Sequence, residues 1–580
     1  MDSTALRFKK YGLWHDVSWR RYQSDVESLA CGLLESGLAP GDRVAIIGDN
    51  CYEWLQADLA VQSCGAMTVG LYTTNSWEQC QFILEHSGSR YLFVQNAEQL
   101  DKWLTFRDQS SGIERVFVWD LEGLREFQDP SICSFTELAG RGRESASLNK
   151  PLLTERIASL RSQDLAVLVY TSGTTGVPKG AMLSHGNVMW AAQSVATYDP
   201  NLQLGPQDDL LSFLPLCHIF ERLFSVFAHL NCGYVLNLVE SPETVVQNLR
   251  EVSPTLGYGV PRIWEKLASQ IELKMQDASW LKRKAYAAAM GAGSPGSTGG
   301  SPASIPARLG EWTVRKKLRE RLGLERMKAA VTGAAPISPE VLKFFARIGL
   351  ELIEGYGLTE TSGIVSGTRI GCGRPGYVGQ PVPGLEIRIA EDGEIVVRSP
   401  GVFQGYYREP EKTREVLEPD GWLHTGDVGE MTEDGYLRIV DRKKDILITA
   451  GGKNIAPQFI ENRLKFSPYI YDAVLVGEGR PFLTALIVLD EDNVAKYVQD
   501  QRISCSTYAE MASSREVHKL IRTEIDQVNA QVSRVESVRK FRVLPRRLYE
   551  EDGEVTPTMK VKRSSICSLY ADLVESMYSS

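Results

Sequence analysis

The sequence predicts an α/β fold. Short, wholly apolar runs read as strands buried on both faces. Segments of helical period alternate with them, and 580 residues leave room for about three to five domains. In the first 150 residues, Val26, Leu29, Ala30, Leu33, Leu34 and Leu38 recur at helical spacing. Ser24-Asp25-Val26-Glu27 reads as the capping box of that helix and Gly37 as its stop. Gly41-Asp42 leads into Val44-Ala45-Ile46-Ile47, and Leu92-Phe93-Val94 and Val116-Phe117-Val118-Trp119 continue the rhythm. This alternation implies parallel sheet with helices packed on its faces.

Residues 291–306 read GAGSPGSTGGSPASIP, a low-complexity stretch expected to be a mobile surface loop between helical sequence at 281–290 and 307–322. Strand-rich sequence at 385–389, 394–398 and 436–440 precedes a charged run, Asp441-Arg442-Lys443-Lys444-Asp445. Beyond it the pattern resets to a helix at about 457–466, a hairpin-like pair at 473–476 and 483–489, and further helices. The domain junction is placed at that run, giving domains of 1–442 and 443–580.

Lys plus Arg is 64 and Asp plus Glu is 73, a formal net charge of −9. An acidic chain is a poor nucleic-acid binder, which needs a basic field. Ten cysteines form no C-x-x-C and do not cluster with the seven histidines, which argues against a zinc site or disulfide scaffold and suits a reducing cytoplasm. The N-terminus has no signal-type apolar core, and no apolar run of about 18 residues occurs. Peripheral membrane contact stays compatible with this.

The most informative segment is the apolar run 165–170, which empties into Thr171-Ser172-Gly173-Thr174-Thr175-Gly176-Val177-Pro178-Lys179-Gly180. Glycines let backbone N–H groups turn towards an anion, hydroxyls add donors, and Lys179 adds a compact positive charge. The set suits a polyphosphate. It is not a Walker A loop, because Gly176 is followed by Val-Pro-Lys-Gly.

The ten-residue string resembles the phosphate-binding signature of the adenylate-forming superfamily, which includes the AMP-dependent acyl-CoA synthetases. Five further segments resemble that family's motifs in the same order: Gly333-Ala334-Ala335-Pro336, Glu354–Thr361 (EGYGLTET), Asp420–Asp427 (DGWLHTGD), Asp441–Asp445, and Thr556-Pro557-Thr558-Met559-Lys560. The resemblance runs from about residue 10 to 570. It implies a large N-terminal part of two α/β sheet subdomains and a small distorted β-barrel. A small mobile α+β C-terminal lid domain would follow.

The resemblance also implies roles. A carboxylate attacks the α-phosphorus of ATP to give an acyl-adenylate and pyrophosphate; a thiol then releases AMP. Lys560 is implied as the main catalytic cation, with Thr359 on the α-phosphate and Glu360 and Thr175 as Mg²⁺ ligands. Thr171 to Gly176, with Lys179, would hold the phosphates. Gly333, Ala334, Ala335, Tyr356 and Gly357 would hold the adenine, and Asp427 and Arg442 the ribose. Lys444 is the implied hinge between the two half-reactions, and Gly451, Gly452 and Lys453 would meet CoA in the second. Taken alone, Lys560 beside Lys562 and Arg563 reads as a solvated basic patch.

Leu214–Arg222 (LPLCHIFER), Gly259–Lys266 (GVPRIWEK) and Gly451–Pro457 (GGKNIAP) resemble the long-chain fatty acid–CoA ligase branch. An apolar tunnel would favour long tails at about 0.8 kcal/mol per buried methylene. His218 and Gly333 are candidates for the acyl pocket. The expected partners are a fatty acid, ATP and CoA, with a homodimer as a family-level expectation. The alternatives are a medium-chain, aromatic or polyketide-type acid, and acyl carrier protein as acceptor. A P-loop kinase and a non-catalytic nucleotide binder are the competing classes.

Overall fold

The computed structural model describes residues 1–109, 112–171, 177–291, 310, 314–549, 552–556 and 561–579. The low-complexity segment lies outside them, apart from Gly291.

A seven-stranded sheet forms from the apolar runs near the N-terminus. Its order is Ile132–Ser134, Arg115–Val118, Tyr91–Val94, Arg43–Ile47, Met67–Leu71, Leu165–Thr171 and Lys179–Ser184. All neighbours are parallel except the last pair, which is antiparallel. Strands covered on both faces read as near-continuous apolar runs, and Tyr91–Val94 and Met67–Leu71 are buried throughout.

A nine-stranded sheet lies beside it, in the order Gln380–Pro381, Ser366–Gly367, Leu352–Tyr356, Ala329–Thr332, Leu256–Gly259, Asp209–Ser212, Val235–Leu238, Thr4–Lys10, Leu13–Ser18. The N-terminal hairpin docks on a strand more than 220 residues away, with Leu6 opposite Leu236. Glu386–Ile389, Glu394–Arg398, Leu423–Met431 and Leu437–Arg442 make a four-stranded antiparallel sheet with two register shifts.

Beyond the charged run, Ile470–Val476 and Leu483–Leu489 pair antiparallel, and Val538–Val543 adds in parallel. One apolar core here is built wholly from residues between Leu447 and Val543, with Ile460, Leu475, Ile487 and Ile521 fully buried.

One expectation is corrected. The first helix is Trp19–Glu35, and its N-cap is Ser18, whose hydroxyl accepts from the Arg21 N–H. Ser24 sits inside the helix, so Ser24–Glu27 is not a capping box. Gly37 does follow the helix with φ of 88°, a left-handed backbone that suits glycine.

Candidate active site

The strands Leu165–Thr171 and Lys179–Ser184 place Thr171 directly opposite Lys179. Ser172, Gly173, Thr174, Thr175 and Gly176, which connect them, lie outside the described residues. Lys560 lies outside them too. Its described neighbours Thr556 and Val561 line the same cavity as Thr171 and Lys179, a space of about 2420 Å³.

Most of the other expected residues meet at that cavity. Gly333, Ala334, Ala335, Tyr356, Gly357, Thr359, Glu360, Asp427, Arg442, Lys444 and His218 all contribute to its wall. Gly333 ends the strand Ala329–Thr332 where space is short, since a Cβ there would lie 3.1 Å from the Gly355 carbonyl oxygen. Ala334 next to it has φ of 66°, a costly conformation for a residue with a side chain.

The pair expected at the ribose is built as a unit. The Tyr356 hydroxyl donates to Asp427 Oδ2 at 2.6 Å, and Arg442 Nε lies 2.9 Å from Asp427 Oδ1. Asp427 and Arg442 face each other across two antiparallel strands, which fixes their spacing. Glu360 lies in the 3₁₀ turn Thr359–Thr361, and its Oε1 accepts from the Tyr406 hydroxyl at 2.7 Å. Lys444 is exposed on the cavity rim, and its ammonium is pulled below its ordinary pKa by desolvation and then by Arg442. Lys179 also acts on it in that direction, so three cations converge on one side of the cavity.

Two further expected residue groups have local roles of their own. His218 caps the short helix Ile219–Arg222, its Nδ1 accepting from the Phe220 N–H at 3.2 Å, while also lining the cavity. Gly451, Gly452 and Lys453 are exposed on the turn between Leu447–Ile448 and Asn454–Ile455, outside the cavity wall.

The apolar wall comes from the helix that begins at Ile219. Ile219, Phe220, Leu223 and Phe224 face the cavity, with Leu210 and Leu256 from the sheet. From Leu223 to Ala228 this helix is a π-helix, a rare form concentrated at functional sites. Buried Glu221 fixes it. Its carboxyl accepts from Ser212 and Ser225 hydroxyls at 2.6 Å each, from the Leu214 N–H at 3.0 Å and from the Tyr258 hydroxyl. Even so, burial pushes Glu221 up to about 7.

Two residues that matter here, Tyr406 and Asp58, are not singled out by the sequence, and a third, Glu354, appears only as a motif letter. Tyr406 has no motif around it, and Asp58, the partner of Arg222, lies on the buried stretch of the helix Tyr52–Ser63 with nothing local to name its partner. Glu354 sits in the cavity wall at 9% exposure, and desolvation raises its carboxyl to about 8. Its pKa in the unfolded chain lies near the ordinary glutamate value. The folded form therefore binds the extra proton between about pH 4.5 and 8. Stability is fullest below the unfolded pKa and is lost as pH rises through the folded one. Glu354→Gln should abolish that loss, leaving the variant more stable than wild type by up to about 5 kcal/mol at pH 9 but little changed at pH 4. Urea midpoints of both proteins across this range check it; parallel curves would refute the assignment.

Residues 1–407 match the AMP-binding enzyme family, and residues 444–580 match the AMP-binding enzyme C-terminal domain. The chain is 36% identical over 576 residues to the long-chain-fatty-acid–CoA ligase FadD15 of Mycobacterium bovis, covering 98% of this chain and 93% of that protein. It is 31% identical to the long-chain-fatty-acid–CoA ligase ACSBG2 of Xenopus laevis, covering 100% of this chain and 82% of that protein. Among solved structures, the adenylation domain of a carboxylate reductase from Mycobacterium chelonae superposes with a TM-score of 0.78 at 22% identity, over 100% of this chain and 89% of that one.

Proposed function

The chain belongs to the AMP-binding enzyme family, and from that membership we propose that it is an ATP-dependent long-chain fatty acid–CoA ligase. Fatty acid and ATP give acyl-adenylate and pyrophosphate; the CoA thiol then takes the acyl group and AMP leaves. One observation carries this reading. The cations Lys179 and Arg442, the acids Glu360 and Asp427 and the apolar wall of Leu210, Leu223, Phe224 and Leu256 belong to one continuous cavity. A tail and a nucleotide can therefore meet in it.

The chemistry follows from charge. A carboxylate approaching a polyphosphate at 4 Å is repelled by about 4 kcal/mol per charge pair at an effective dielectric of 20. Lys179 at the phosphate end offsets part of this, and Lys560 is the cation assigned to the reacting oxygens. Asp427, held by the Tyr356 hydroxyl at Oδ2 and by Arg442 at Oδ1, is the carboxylate assigned to the ribose hydroxyls. The bond to Asp427 fixes the Tyr356 ring, so it offers a flat face to the adenine. Lys444 is assigned as the pivot that lets Gly451, Gly452 and Lys453 reach the site for the thiol step.

Mg²⁺ fits this site. Glu360 offers a carboxylate oxygen, and no group of three or more His, Cys, Asp or Glu able to hold a metal occurs among the described residues. A cation that completes its shell with phosphate oxygens and water needs no more from the protein. When bound it supplies charge neutralisation on the polyphosphate.

A panel of C4 to C20 acids and aryl acids, scored by AMP release with CoA, tests the reading. Activity should climb with chain length into the long-chain range. A flat profile or an aryl preference would overturn the lipid assignment, and faster turnover with holo acyl carrier protein than with CoA would move the acceptor. No helix among the described residues is long and apolar enough to cross a membrane. Peripheral membrane contact and a homodimer complete the proposal, to be read by vesicle co-sedimentation and light scattering.

A further inference from the structure

The segment Phe403–Tyr407 stitches together two parts of the phosphate site that are far apart in sequence. It runs along the strand Lys179–Ser184: Met182 N donates to the Gly405 carbonyl at 3.0 Å, Gln404 N to the Met182 carbonyl at 2.9 Å and Tyr407 N to the Gly180 carbonyl at 2.8 Å. On its other side, Phe403 N donates to the Glu360 carbonyl at 2.9 Å. The path is tightly constrained, because Gly405 has φ of 116° and a Cβ there would lie 2.6 Å from the Thr413 side chain.

Tyr406 sits at the centre of this bridge, buried at 7% exposure. Its hydroxyl donates to Glu360 Oε1 at 2.7 Å, while Lys179 Nζ lies 4.8 Å from its ring centroid. One side chain thus holds the carboxylate with its edge and the ammonium with its face. Left alone, these two opposite charges would be free to pair with each other or swing to solvent. With Oε1 engaged, Oε2 keeps its lone pairs for an outside ligand.

Resting on the AMP-binding reading above, we propose that Tyr406 is a positioning residue that sets the spacing between Lys179 and Glu360, so that one cation and one carboxylate-held divalent metal meet the same triphosphate. Outer partners of a metal-holding carboxylate act in this way, orienting the ligand and tuning its affinity.

Full-length Tyr406→Phe and Tyr406→Leu separate the two contacts. Phenylalanine keeps the face for Lys179 and loses the hydroxyl. ATP affinity measured calorimetrically in EDTA should stay within about twofold of wild type, while the Mg²⁺ concentration for half-maximal ATP binding rises about tenfold. Leucine removes both contacts, so metal-free ATP affinity should also fall about threefold. A merely structural tyrosine would lower melting temperature and shift metal-free and metal-dependent binding together. That outcome, or an unchanged Mg²⁺ requirement in Tyr406→Phe, overturns the proposal. Should Tyr406→Leu not fold, the metal-selective shift of Tyr406→Phe decides alone. These binding titrations need no turnover. Absence of carboxylate-dependent pyrophosphate exchange in the wild type would instead sink the ligase reading.

Discussion

Asp58→Ala is expected to cost the fold about 3–5 kcal/mol, because it strands a buried cation. Asp58 and Arg222 form an ion pair in which both side chains are 0% exposed. Asp58 Oδ1 also accepts from Thr68 Oγ1 and from Gln62 Nε2, at 2.8 Å each. The guanidinium carbon lies 5.1 Å from the Trp54 ring centroid. Among the described residues no other acid forms an ion pair with Arg222. Without Asp58 the guanidinium must keep an uncompensated charge in an apolar setting or pull the helix out towards water. The pair also spans the two large sheets: Asp58 lies on the helix Tyr52–Ser63 beside the seven-stranded sheet, and Arg222 closes the helix that forms the apolar wall of the cavity. Loss of the pair should therefore loosen that wall, with the long-acid KM rising more than the ATP KM. The double variant Asp58→Leu with Arg222→Met should recover most of the stability, since removing both charges leaves no orphan. Denaturant midpoints of the three proteins test this. A single variant within about 1 kcal/mol of wild type, or a double no better than the single, would refute it.

The same pair marks where the sequence stops being legible. Periodicity locates elements whose burial pattern is local. Arg43–Ile47, Tyr91–Val94 and Pro457–Leu464 are found where their apolar spacing places them. The segment expected to hold the phosphates stands out in the sequence because glycines, hydroxyls and one cation are contiguous in the chain. Ser24 misled because the serine–acid spacing of a capping box also occurs inside helices, and the actual cap, Ser18, lacks that spacing to an acid. Pairings between distant segments leave no local trace. Nothing in Thr4–Lys10 tells that Leu6 will lie opposite Leu236, and nothing near Tyr406 names Glu360 as its partner. Arg222 was legible as a motif letter. Its role was not, because that role depends on an acid 164 positions away.

Lys560→Ala should lower adenylate formation about 10²–10³-fold, the usual loss when one preorganised group facing developing charge is removed. The described residues around it frame the argument. Val555 and Val561 pair in an antiparallel bridge, and Thr556 and Val561 line the cavity, so the chain on both sides of 557–560 reaches the site. The neighbouring cation Arg563 is committed elsewhere: Nη1 lies 2.6 Å from Glu461 Oε1, Nη2 lies 3.0 Å from Oε2, and Nη1 also donates to the Leu475 carbonyl. It cannot stand in for Lys560 without abandoning a partly buried pair. The two half-reactions should respond differently. Attack of a carboxylate on the α-phosphorus joins two anions and needs the extra cation, whereas attack of a thiol on an acyl-adenylate meets a neutral carbonyl carbon. Acyl-CoA formation from supplied acyl-adenylate should therefore stay within about threefold of wild type, since no group of the developing-charge kind is lost from that step. Pyrophosphate exchange and single-turnover thioester formation, measured on the same preparation, separate the halves. Equal losses in both would mean that Lys560 supports the lid's structure and leaves the adenylation chemistry to other residues.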